Sequence, residues 1–191
     1  MAFFKTGVAE RILMVAQGGR YGWFMIFGAF ILVSWIATHV AHTASSLFSQ
    51  YMALTAYVIV EAIIFAPMLY LANHFAPGAI QSAGVITIGG FIALTSVVWI
   101  TGKDFSFLRG MLVWGGVLAL VAIGASIIFG AALGTWFSVA MVGLAGCAIL
   151  FDTSNIFYHY REDQAVGAAL QLFASVAMMF WYVLRIFMSR D

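Results

Sequence analysis

The sequence predicts an all-α fold, a polytopic membrane helix bundle of about six transmembrane helices with an amphipathic N-terminal helix. Three observations lead there. Of the 191 residues, 64% are hydrophobic and only 8% charged, whereas soluble domains are about 45–50% apolar and about 25% charged. The apolar residues gather into about six runs, each close to the roughly 20 residues that span a bilayer. The connections between runs are short, so residues 1–191 read as a single membrane domain, 1–21 a surface segment and 22–188 the bundle.

The lipid bilayer is therefore the first partner. A formal net charge of +1, with no long basic or acidic run, argues against nucleic acid and against a polybasic lipid-binding tail. Cys147 is the one cysteine, falls inside a span and cannot form an intrachain disulfide. No cofactor is expected.

In the first 21 residues Lys5, Glu10, Arg11 and Arg20 are mixed with Phe4, Val8, Ile12 and Val15, whose spacing makes the apolar stripe of a helix lying on the membrane surface. A cleaved leader would instead place a short apolar core near the start. The first span, about 22–42, carries Trp23 and Trp35 and ends in His39 and His42, before a polar link from Thr43 to Gln50. A histidine pair three apart suggests a metal or haem, but binding needs three or four convergent ligands. His74 and His159 sit at other helix ends, so the histidines read as interfacial and no metal site is expected.

The second span, about 51–73, holds Glu61 near its centre and Pro67 six residues on. Proline removes one backbone hydrogen bond and kinks a helix. A kink beside a mid-depth carboxylate makes a plausible cavity wall, the bland alternative being a Glu61 hydrogen-bonded to a neighbouring helix. The third span, about 78–101, is rich in small and hydroxylated residues: Gly84, Thr87, Gly89, Gly90, Thr95 and Ser96. These let helices approach closely and read as packing rather than a phosphate cradle. Gly102 then terminates the helix, and Asp104 or Ser106 is placed to cap the next. The fourth span, about 108–129, is mainly aliphatic with Gly115, Gly116 and Gly124, and no chemistry is expected of it.

The last two spans organise the functional reading. The fifth, about 136–158, contains Asp152; an ionised side chain within a span costs about 2.5–3.5 kcal/mol on insertion scales and normally faces protein or water. Asp152, Asn155 and His159 share one helix face, directed at the connection Tyr160, Arg161, Glu162 and Asp163. Gln171 and Ser175 share a face of the sixth span, about 165–188. A short loop makes the two helices antiparallel neighbours, so the polar faces can meet. Arg161 has Asp152, Glu162 and Asp163 as alternative partners.

Phe151, Asp152, Thr153 through Ile156, then Glu162 and Asp163, then Ala168 to Phe173, up to Leu184 and Arg185, resemble the C-terminal signature of the Bax inhibitor family, also called the transmembrane Bax inhibitor motif family. The stretch Thr101 to Leu108 is similar to the family's loop between two central helices, and Glu61 with Pro67 looks like the acidic helix of bacterial members. The resemblance covers most of residues 51–188 and implies a bacterial inner-membrane protein of six or seven spans. It also implies a pH-sensitive calcium leak pathway closed by a pair of aspartates, one on each of the last two helices. Two close carboxylates cannot both ionise cheaply, so proton loss would push them apart. Asp152 matches the first aspartate, but the second falls at Ser175, which cannot ionise, and the family's first helix is replaced by the amphipathic segment.

Two functions therefore stand. One is a Ca²⁺ or H⁺ leak pathway using Asp152, Glu61, Asn155, Gln171 and Ser175, with Glu61 as a substitute latch and Arg161, Glu162 and Asp163 as loop charges. The other is a non-catalytic accessory or regulatory subunit of a larger membrane complex, a protease or respiratory assembly. Its many aromatic side chains, 18 Phe, 7 Tyr and 6 Trp, would supply the partner surface, although aromatics also belong at membrane interfaces. Glu61 and Asp152 lack the sequence settings of an intramembrane aspartyl hydrolase, so no enzyme is expected.

Overall fold

The computed structural model describes residues 32–33, 35–37, 39–40, 46–130, 133–161 and 164–189. The surface segment 1–21, most of the first span and His42 lie outside the described residues, as do Glu162 and Asp163. Five long helices follow one another, α1 (Leu47–Phe75), α2 (Ala79–Thr101), α3 (Leu108–Phe129), α4 (Thr135–Tyr158) and α5 (Ala165–Met188), and there is no strand among the described residues. Each is long and apolar enough to cross a membrane. Even α3, with 22 residues, reaches about 33 Å, against a hydrocarbon core about 30 Å thick.

The helices fall into two compact units. The first comprises residues 1–77 and 163–170, the second residues 78–162 and 171–191. In the first, α1 starts at Leu47 with Ser46 in extended backbone, so the polar link expected from Thr43 to Gln50 already turns helical at its second half. Helical structure continues through the buried Pro67, and in the last turn His74 bonds the Tyr70 carbonyl at 3.0 Å with its ring tilted at 37° to the Tyr70 ring. A basic group there also suits the negative end of the helix dipole.

In the second unit α2 and α3 both pack on α4. Gly102 ends α2 in the left-handed region (φ 57°) that glycine enters without a Cβ clash, and its N–H bonds the Val98 carbonyl. The three-helix junction is built on small residues. Met179 of α5 lies against Gly90 of α2 and Gly146 of α4, and Leu94 fills the other side of Gly146. Packing expected of the whole small-residue set on α2 is realised at Gly90 and at the buried Thr87; Gly84 and Gly89 face open space, and Ser96 bonds the Ile92 carbonyl of its own helix. On α3 only Leu108 and Ala119 are buried, while Val113, Trp114, Leu118 and Val121 point outward. Such an apolar exterior is what lipid solvates. At the far end of the unit the Arg185 guanidinium donates to the Leu133 carbonyl at 2.8 Å, tying the end of α5 to the chain just before α4.

Candidate functional site: a carboxylate clasped by α5

Asp152 lies six residues before the end of α4, about 9 Å along the helix from Tyr158, and is 3% exposed. Its neighbours Thr153 and Ser154 are equally buried. On α5, Gln171 and Ser175 are one turn apart and face it. The Ser175 hydroxyl donates to Asp152 Oδ2 at 2.5 Å and the Gln171 amide donates to Oδ1 at 2.8 Å. Each carboxyl oxygen thus has a donor, which is what a polar group withdrawn from water requires.

The chain of bonds runs outward from there. The Tyr160 hydroxyl donates to Gln171 Oε1 at 2.6 Å, so the amide is held at both ends. Tyr160 sits in the connection after α4. Burial, and then the negative charge of Asp152, push its phenol above the usual range. Asn155 orients this connection through its main chain: its carbonyl accepts the N–H of His159 at 2.8 Å and of Tyr160 at 2.9 Å. Among the described residues, the Asn155 side chain takes no part in the Asp152 group, so the shared helix face does not make it a member.

The connection that precedes α3 is docked on α4 by a second polar cluster. Ser154 accepts the Phe105 N–H at 2.8 Å and donates to Asp104 Oδ1 at 3.1 Å. The same Asp104 oxygen receives the Ser106 N–H and hydroxyl, at 2.8 and 2.5 Å, and Asp104 Oδ2 lies 3.7 Å from His159 Nε2. The capping role expected of Asp104 or Ser106 is therefore not what these residues do. Phe107 precedes α3 without a side-chain cap bond, and Asp104 closes the turn before it. The Ser106 hydroxyl and N–H, with smaller help from Ser154 and His159, hold the Asp104 carboxyl below its ordinary value.

Glu61 belongs to the first unit, buried on α1. It is hydrogen-bonded to Tyr57 one turn earlier on the same helix, and its Oε2 has no hydrogen-bond partner among the described residues. Arg161 is exposed in the loop. Among the described residues no group of three or more metal-ligating side chains converges, and His39 stacks on Trp35 at 5.9 Å.

Beside Asp152 the second unit has an open cavity of about 470 Å³. One wall is α3, from Arg109 to Gly116; α4 forms the floor from Leu144 to Asp152; α5 forms the other wall from Gln171 to Met178. Arg109 and Tyr160 were not singled out from the sequence. Tyr160 is visible there only as an aromatic at a helix end, and Arg109 only as the single cation near the start of the fourth span.

Among the described residues, five helices long and apolar enough to cross a membrane, with a buried carboxylate clasped between the last two, define an integral membrane protein. Its family follows from comparison with known chains. The model of the family described as inhibitor of apoptosis-promoting Bax1 matches residues 1–191, and the chain belongs to this Bax inhibitor family. It is similar to the modulator of FtsH protease YccA of Escherichia coli, 33% identical over 135 residues, covering 67% of this chain and 60% of that protein. An uncharacterised protein of Pseudomonas aeruginosa is 32% identical over 120 residues, 62% of this chain and 54% of its own. Bax inhibitor 1 of Schizosaccharomyces pombe is 31% identical over 121 residues, 60% of this chain and 44% of its own. The matches thus span about 60% of the length of the first of these relatives.

Proposed function

We propose that this chain is a non-catalytic modulator which associates, within the membrane, with a larger protein assembly of the membrane-protease type, and that residues 1–191 act as one membrane domain. The observation that carries the reading is the Ser175–Asp152 bond. A hydroxyl stands where the resemblance calls for a second aspartate, so proton loss from Asp152 meets a neutral donor and no like charge that would drive α4 and α5 apart. The clasp then serves to hold a fixed helix pair. The likeness to the modulator of FtsH protease supports the partner class.

A second reading, a leak pathway using Asp152, Glu61, Asn155, Gln171 and Ser175, is favoured by the cavity that Asp152 lines. H⁺ suits it better than Ca²⁺, which prefers six to eight oxygen ligands, several of them carboxylate. Affinity purification in mild detergent tests the first reading. Stoichiometric recovery of an FtsH-type protease supports it, and recovery of the chain alone, together with pH-dependent proton or calcium flux in liposomes abolished by Asp152→Asn, establishes the second instead.

A further inference from the structure

We propose that the cleft beside Asp152 holds one acyl chain of an anionic phospholipid from the surrounding bilayer, with the phosphate on Arg109 and the chain lying past Leu112 and Gly116 onto Leu144 and Met178. This is independent of the modulator reading. The volume of about 470 Å³ is in the range of ligand sites, about 300–1,000 Å³, and the cleft lies along three membrane-spanning helices with its side open. Its cation stands at the start of α3 and most of the remaining lining is apolar, with the clasped Asp152, Gln171 and Ser175 along α4 and α5. Arg109 is in the first turn of α3; Gly116 lies seven residues further on, about 10 Å deeper, among aliphatic side chains.

The mouth carries a cation that is available to an anion. Among the described residues the exposed Arg109 guanidinium has no hydrogen-bond or ion-pair partner, and the first turn of α3 has no acidic residue, so cation and positive helix end add. Both oxygens of Asp152 are already occupied by Ser175 and Gln171, and Asp104 is held by Ser106 and Ser154. Gly116 adds no side chain to the apolar part. A Cβ on Gly116 would meet nothing within 4 Å, whereas one on Gly115 would come within 2.5 Å of Leu144 Cδ1. Of two adjacent glycines, the first packs the helix and the second leaves room.

The test is native mass spectrometry of the full chain after equilibration with equimolar phosphatidylglycerol and phosphatidylcholine of identical acyl chains. Wild type is expected to retain phosphatidylglycerol preferentially. Arg109→Gln is expected to lower that preference about five-fold, the equivalent of about 1 kcal/mol for one basic group at an anionic surface. Gly116→Phe, which fills the cleft, is expected to lose the retained lipid. Gly84→Phe and Lys103→Gln, on an open helix face and in the neighbouring loop, are expected to behave as wild type. Equal retention of the two lipids by wild type overturns the proposal, as does undiminished retention by Gly116→Phe or a loss in Lys103→Gln matching that in Arg109→Gln. Because Arg109 is exposed, its variant decides the matter even if Gly116→Phe does not fold.

Discussion

Gln171 joins Tyr160 to Asp152: its carbonyl oxygen accepts the tyrosine hydroxyl at 2.6 Å while its amide donates to the carboxylate at 2.8 Å. A carboxylate about 9 Å inside the end of α4 is thereby tied to the polar connection that follows the helix. Removing Gln171 strands a donor at one end and an acceptor at the other. Gln171→Leu is expected to destabilise the protein by about 1–3 kcal/mol, and Tyr160→Phe by about 1 kcal/mol, read as lowered thermal midpoints in detergent.

Ser175→Ala is expected to cost about 1–2 kcal/mol, because Asp152 Oδ2 loses its donor inside an apolar helix pair. Ser175→Asp asks a different question. It places a second carboxyl within hydrogen-bond reach of the first, so the two must share a proton to remain close. Its thermal midpoint is expected to fall as pH rises through the neutral range, while wild type changes little over the same interval. A flat profile for Ser175→Asp would mean that the site cannot support a two-acid latch.

The docked connection before α3 gives an acid-side prediction. The Asp104 carboxyl is held below its ordinary value by Ser106, so its contribution is fully present above the unfolded value near 3.8 and is lost as pH falls through the lower, folded one. Acid titration of the thermal midpoint should show this loss in wild type, and Asp104→Asn should start lower at neutral pH and lack that step. Ser154→Ala, which frees both the Phe105 N–H and one bond to Asp104, is expected to lose about 1–3 kcal/mol, since Ser154 is fully buried.

Gly115 and Gly116 separate packing from open space on one helix. Gly116→Ala meets nothing and is expected to stabilise by about 0.5–1 kcal/mol through helix propensity, whereas Gly115→Ala must displace the tip of Leu144 and is expected to melt below it. Parallel thermal melts of the two variants check the ordering.

The all-α class and the five described spans could be read from the chain because lipid imposes a length and an apolar composition that no soluble domain matches. Asp152, Gln171 and Ser175 were legible for a related reason: helical spacing puts Gln171 and Ser175 on one face, and a six-residue connection leaves α4 and α5 little choice but to lie side by side. The same periodicity misled at Asn155, which shares the face yet gives its carbonyl to the helix end, and at Asp104, where a residue that commonly caps a helix closes a turn and meets Ser154, 50 residues away. Periodicity reports direction from a helix axis, and contact depends on which helix stands opposite and at what depth. Only the tertiary structure, by setting α3 and α5 along α4, made a cleft with Arg109 at its mouth and gave adjacent, chemically identical glycines opposite roles.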